Sequence, residues 1–265
     1  MKKQRKLWKC KMSVPLIKPA KGMRSFEFKQ SRYKHLENFA VLRSLVVGSS
    51  GSGKGILMQQ LVLDVFEGVF ERIYLFSKTA KSDHTWEPVL KYIRNTLKVP
   101  EEEEVFFEEF DPNVIRGIID QQKRIIEYEK AHNFKKLHQI CIIVDDWAGD
   151  ESVMRGKKGE ALKNLYLMGR HYGINLIVSV QKWRLASTVM RTQATSVIYF
   201  RARSNVDLDS FIEENSALVP GGKKQLLEIY HAAVKDPYSF LVVDLLTKDP
   251  NKVFMKRFES YLVPK

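Results

Sequence analysis

The chain has 265 residues, 44% of them hydrophobic, which suits one sizeable α/β core with a small appendage rather than two small domains. Its formal net charge of +13 points to polyanionic partners, nucleic acid first and an anionic membrane surface second. No apolar run is long enough to span a membrane and no signal-like apolar core follows the N-terminal charges, so a soluble, intracellular protein is expected. Cys10 and Cys141, widely separated, exclude a disulfide framework and a cysteine-type zinc site.

Taken in chain order, residues 1–35 form a basic N-terminal arm. Lys2, Lys3, Arg5, Lys6, Lys9, Lys11, Lys18, Lys21 and Arg24 all precede the first acid, Glu27, and Pro15 and Pro19 mark extended backbone. The remainder, 36–265, reads as one domain in which strands and helices alternate. An apolar strand carrying Leu42, Leu45, Val46 and Val47 runs into Gly48, Ser49, Ser50, Gly51, Ser52, Gly53, Lys54 and Gly55, and then into helical spacing at Ile56, Gln60 and Leu63. That order of strand, glycine-rich turn, lysine and helix predicts a phosphate cradle: bare backbone N–H groups curl around phosphate oxygens while the lysine reaches the β and γ phosphates. The residue after such a lysine is ordinarily Ser or Thr, whose hydroxyl binds Mg²⁺; Gly55 has no side chain.

A second strand is expected at 72–76, a helix at 86–97, a solvated acidic loop at Glu101 to Glu104 and a short strand at 105–107. Asp111 and Pro112 form an N-cap and first-turn pair for a long helix ending near His132. The uninterrupted apolar run 140–144 predicts a strand in the centre of a parallel sheet covered on both faces. A helix at 159–171, a strand at 175–179, a helical piece near Thr188 and a strand at 196–200 follow, and the C-terminal section carries no clear pattern. Strands alternating with helices predict a mostly parallel central sheet with helices on both faces and ligands at the carboxyl ends of its strands.

Asp145 and Asp146 end the buried strand ICIIVDDW, where two carboxylates are costly without a task. Asp145 suits a Mg²⁺ ligand and Asp146 a group that orients or deprotonates the water attacking a γ-phosphate; helix capping in an acidic loop is the structural alternative. Gln181, at the end of NLIVSVQ, could hydrogen-bond that water and the γ-phosphate. Arg170, in GRH at a helix end, could cap that helix or act as an arginine finger in a neighbouring subunit, with Arg184 and Arg191 as weaker candidates.

Together GSSGSGKG, IIVDDW, GRHYGINLIVSVQ and STVMRTQATSVIYF resemble the FtsK–HerA superfamily of DNA-pumping ATPases, and within it the genome-packaging ATPases of large double-stranded DNA viruses, virophages and Polinton-like elements. The resemblance spans about 41–200. It implies a P-loop NTPase of the RecA-like/ASCE type that uses ATP and Mg²⁺, with Lys54 as phosphate-loop lysine, Asp145 as metal acid, Asp146 as catalytic acid, Gln181 as polar sensor and Arg170 as trans finger. It further implies double-stranded DNA as substrate, a homo-oligomeric ring (hexamer or pentamer), a capsid or portal vertex protein as partner, and a place in the host cytoplasm or virus factory, with virion association. Gly55 departs from the family pattern, leaving Mg²⁺ to water, Asp145, or a hydroxyl from Ser50 or Ser52. Two other readings stand beside the translocase: an ATP-gated DNA-binding or assembly scaffold with little turnover, which Gly55 favours, and a P-loop nucleotide kinase, which the paired acids and basic arm disfavour.

Overall fold

The computed structural model describes residues 26–39, 41–80, 84–147, 149–154 and 156–264. The arm up to Ser25, with its basic residues and Cys10, lies outside the described residues. Along the chain the elements are β1 (Glu27–Phe28), β2 (Arg43–Val47), α1 (Lys54–Gln60), β3 (Arg72–Ser77), α2 (Glu87–Asn95), β4 (Phe106–Phe107), α3 (Pro112–Ala131), β5 (Lys136–Leu137), β6 (Ile140–Asp145), α4 (Glu151–Met154), α5 (Glu160–Met168), β7 (Ile174–Val180), α6 (Thr188–Gln193), β8 (Ser196–Phe200), α7 (Asn205–Asn215), α8 (Gly222–Ala233), β9 (Phe240–Asp244), β10 (Phe254–Lys256) and β11 (Ser260–Tyr261).

One large sheet has the order β11-β10-β9-β8-β2-β7-β6-β3-β4. From β8 to β4 every neighbouring pair is parallel, while β9, β10 and β11 continue the sheet antiparallel. All residues of β2, β7 and β8 are buried. Because successive side chains point to opposite faces, this burial means both faces are covered, and the Val/Ile/Leu-rich sequences of these strands are what such a position requires. The fold is that of an α/β P-loop NTPase, and β7 is interposed between β2, which leads into the glycine loop, and β6, which ends in the two aspartates.

Local chemistry sets the helix ends. Asp111 accepts from the Asn113 N–H at 2.8 Å and Pro112 opens α3, as expected of that pair. The helix after the glycine loop covers the expected spacing but changes type: α1 runs directly into a π-helical turn over Leu61–Val65, with the Phe66 N–H reaching Leu61 O at 2.8 Å. The acidic run is a turn that is only partly solvated, because Glu103 folds back to accept from Arg72 Nε at 3.0 Å and from the Tyr74 hydroxyl at 2.9 Å. The unpatterned C-terminal section holds α7, α8 and the antiparallel extension of the sheet.

Residues 26–35, grouped with the arm by charge, contact the domain. β1 pairs in parallel with β5, Lys29 meets Glu71 at 2.5 Å, the Ser31 hydroxyl donates to Val65 O at 2.6 Å, and Arg32 pairs with Asp64 and Glu67. Leu36 and Phe39 then enter the core beside Leu61 and Phe66.

Candidate active site

Strand register brings the site together. Val47 pairs with Val180 and Val144 with Val178, so the ends of β2, β7 and β6 lie side by side at one edge of the sheet. The glycine loop leaves β2 there, fixed by the Gly48 N–H donating to Val180 O at 3.0 Å. At Gly48 no side chain fits, since a Cβ would lie 2.6 Å from Ser52 Oγ and 2.9 Å from Phe200 Cβ. Gly53, with φ +97°, turns the loop into the helix through a conformation that favours glycine. The Lys54 ammonium folds back over the loop and donates to Gly48 O at 2.7 Å and Ser49 O at 3.1 Å. Burial pushes it below the usual lysine range, and the carboxylates of Asp145 and Asp146 act against that shift.

Opposite the lysine, Ser179 organises the two acids. Its hydroxyl donates to Asp145 Oδ1 at 2.5 Å and accepts from the Asp146 N–H at 3.2 Å. Asp146 is exposed and has φ +58°, a left-handed backbone that turns its side chain out of the strand line. Its Oδ1 accepts from Gln181 Nε2 at 3.0 Å. Thus Lys54, Asp145, Asp146 and Gln181 do converge at one strand edge. Ser179 was not apparent from the sequence; its signal is a lone hydroxyl in β7, two residues before Gln181.

The three arginines part company. Arg170 lies on a 3-10 turn (Gly169–Tyr172) before the start of β7, beside Arg43 at the start of β2. The seven-residue strand β7 separates it from the phosphate loop by roughly 20 Å, so it cannot serve its own subunit's loop. Arg191 pairs with Glu214 and lies 5.7 Å from the Trp183 ring, both in its own subunit. Arg184 is exposed in the turn after Gln181, a turn held by buried Asp207, whose carboxylate accepts from the N–H groups of Trp183 at 2.9 Å and Arg184 at 3.1 Å. An arginine passed over in the sequence, Arg203, reaches the glycine loop and donates to Ser50 O at 3.2 Å.

A cavity of about 810 Å³ opens beside Gly53, between α1, residues 33–36 and the C-terminal strands. Ile56, Gln60, Tyr33, His35 and Phe258 line it, and Tyr238 stands at its rim 3.4 Å from where a Gly53 Cβ would lie. Tyr238, too, was invisible in the sequence, because its neighbours belong to distant elements.

The family model described as poxvirus A32 protein matches residues 27–244. No match is found among curated proteins. Among solved structures, the genome packaging NTPase B204 from Sulfolobus turreted icosahedral virus 2 in complex with sulfate aligns at TM-score 0.51 and 16% identity, covering 77% of this chain and 92% of that one. The same protein in complex with AMPPCP aligns at TM-score 0.51 and 18% identity, over 77% and 93%. B204, the DNA-packaging ATPase from Sulfolobus turreted icosahedral virus, aligns at TM-score 0.50 and 17% identity, over 80% and 94%. The likeness to these structures is one of fold. Among the described residues no helix is long and apolar enough to cross a membrane.

Proposed function

Because the chain belongs to the poxvirus A32 protein family, we propose that Lys54, Asp145, Asp146 and Gln181 are the working parts of its ATPase site. The protein is a viral genome-packaging ATPase of the FtsK–HerA type. The observation that carries the residue-level reading is the hydrogen-bonded chain Gln181–Asp146–Ser179–Asp145 facing Lys54 across one strand edge.

ATP phosphates enter the loop 48–55, where they replace the Gly48 and Ser49 carbonyls as partners of the Lys54 ammonium. Among the described residues no group of three or more His, Cys, Asp or Glu converges on one point. Asp145 would hold Mg²⁺ beside the nucleotide phosphates, a cation that needs only one or two protein carboxylates, and the ion would supply positive charge against the phosphate oxygens. Ser179 donates to Asp145 Oδ1 and thereby fixes the orientation of that carboxylate. Asp146 orients the attacking water and takes its proton, and Gln181 fixes the Asp146 carboxylate and reports the γ-phosphate to the turn that Asp207 holds. The adenosine moiety occupies the cavity beside Gly53, with Tyr238 at its rim.

Arg170, at the opposite sheet edge, acts in a neighbouring subunit, which requires a homo-oligomeric ring, hexamer or pentamer. The substrate is double-stranded DNA threaded through that ring, attracted by the basic arm, and the ring docks on a capsid or portal vertex protein in the host cytoplasm or virus factory. Gly55 favours a second reading, an ATP-gated scaffold that turns over slowly. One pair of variants separates the two. Lys54→Ala should weaken nucleotide binding and abolish turnover, and Asp146→Asn should keep binding while lowering turnover by roughly two to four powers of ten. Unchanged turnover in Asp146→Asn removes this residue from catalysis, and wild-type binding without measurable hydrolysis supports the scaffold.

A further inference from the structure

Asp207, in the first turn of α7, carries a carboxylate that is 6% exposed and outside the chemistry proposed above. Its Oδ2 accepts from the Trp183 N–H at 2.9 Å and from the Tyr199 hydroxyl at 2.9 Å, and its Oδ1 accepts from the Arg184 N–H at 3.1 Å. A carboxylate taken out of water is costly unless donors surround it, and these three, with the positive end of the helix dipole, meet that need. Two of the three donors belong to the 3-10 turn Trp183–Leu185, which begins two residues after Gln181.

The same carboxylate ties together the two strands that flank β2. Tyr199 pairs in register with Val47, and Val47 with Val180, so the strand that feeds the phosphate loop lies between β8 and β7. Asp207 reaches both neighbours, β8 through the Tyr199 hydroxyl and β7 through the turn that follows it. The rest of its helix face grips that turn as well, since Asp207, Phe211 and Glu214 have the spacing of one side of a helix. Phe211 meets the Trp183 ring edge-on with centroids 5.2 Å apart, and Glu214 pairs with Arg191, whose guanidinium lies 5.7 Å from that ring. Among the described residues Trp183 Nε1 is buried without a hydrogen-bond partner, so the hydrogen bond that fastens Trp183 to α7 is the one from its backbone to Asp207.

Gln181 depends on this fastening. Its amide crosses from the end of β7 to Asp146 Oδ1 at 3.0 Å, and its backbone is set by β7 on one side and by the clamped turn on the other. We propose that Asp207 is a positioning residue for hydrolysis, fixing the turn so that Gln181 holds the Asp146 carboxylate toward the attacking water, a role that rests on the ATPase reading above. Asparagine in its place has one acceptor oxygen. Its NH₂ would then face the N–H of either Trp183 or Arg184, donor against donor, and release the turn on that side.

The test is steady-state phosphate release by the full chain together with calorimetric binding of AMPPCP in the presence of Mg²⁺. Asp207→Asn should lower kcat by about tenfold, as expected when a remote change misplaces a reacting group. Its affinity for AMPPCP should stay within about twofold of wild type, because the lost contact serves turnover rather than binding. In a Gln181→Ala background it should lower kcat no further, an exemption that general destabilisation would not grant. Tyr199→Phe removes a donor from the same carboxylate and none from the turn, and it should turn over as the wild type does even where it melts earlier. Phe211→Leu loosens the turn without removing a hydrogen bond; it should lower kcat several-fold while Gln181 is present and have no effect in Gln181→Ala, so the test stands where Asp207→Asn does not fold. Wild-type kcat in Asp207→Asn, a matching loss in Tyr199→Phe, or the same fractional loss with and without Gln181 overturns the proposal and leaves the ATPase reading intact. Absence of phosphate release by the wild-type chain overturns both.

Discussion

Gln181 Nε2 donates to Asp146 Oδ1 at 3.0 Å, so the amide at the end of β7 fixes the carboxylate at the end of β6 across the strand gap beside the phosphate loop. Two groups far apart in the sequence are therefore joined by one hydrogen bond. Truncating Gln181 frees the Asp146 carboxylate to rotate without removing it. Gln181→Ala should reduce kcat by about tenfold to a hundredfold, a smaller loss than Asp146→Asn, and the double variant should lose far less than the product of the two. Multiplicative losses in a double-mutant cycle would show that the contact is incidental.

Arg170 and Arg203 make opposite predictions in mixed rings. Arg170 lies a strand length from its own loop, whereas Arg203 touches Ser50 O of its own loop at 3.2 Å. Mixing Arg170→Ala with Lys54→Ala subunits should restore part of the ATPase, because some interfaces pair an intact loop with an intact finger. Mixing Arg203→Ala with Lys54→Ala should restore none, since each chain damages its own site. Phosphate release from demonstrably mixed assemblies distinguishes the cases, and recovery with Arg203→Ala but not Arg170→Ala would reverse the two assignments.

Tyr238 at the cavity rim should stack on the base. Removing the ring costs about 1–3 kcal/mol per stacked base. Tyr238→Ala should raise the Kd for ATP and ADP alike by about tenfold and leave kcat near wild type, while Tyr238→Phe should bind normally. Equal affinity in Tyr238→Ala and wild type would move the base out of this cavity.

The basic arm should contact DNA phosphates, each neutralised phosphate releasing condensed counterion. Deleting residues 1–25 should weaken duplex binding regardless of sequence and flatten the plot of log affinity against log salt by about 0.9 per lost contact. Basal ATPase should persist, because the contacts of 26–39 with the domain remain. An unchanged salt slope would assign the arm to a capsid or membrane surface instead.

The central sheet was legible because its strands are buried on both faces and therefore spell out uninterrupted apolar runs, as in Ile140 to Val144. Lys54, Asp145, Asp146 and Gln181 were legible for a related reason: each follows such a run, and parallel strands deliver their ends to one edge. What pairing register alone decides was not legible. Ser179 bridges the acids only because β6 and β7 align Val144 with Val178. Arg203 approaches the loop from a segment distant in sequence. The C-terminal section hid its pattern because α7 buries a carboxylate, Asp207, and β9 joins the sheet antiparallel beside β8. The Glu103 contacts with Arg72 and Tyr74 were masked in the same way, since a run of four glutamates reads as solvent-facing until its neighbours are known.

If the proposed site hydrolyses ATP in subunits that share sites and respond to duplex DNA, its turnover depends both on DNA and on assembly. Steady-state phosphate release by the full chain, with and without long double-stranded DNA and across protein concentration, tests it most directly. The expected result is turnover that DNA stimulates and that rises faster than linearly with protein concentration, with both effects lost in Lys54→Ala. Turnover that is indifferent to DNA and strictly proportional to protein concentration, or phosphate delivered to a nucleoside rather than to water, would contradict it.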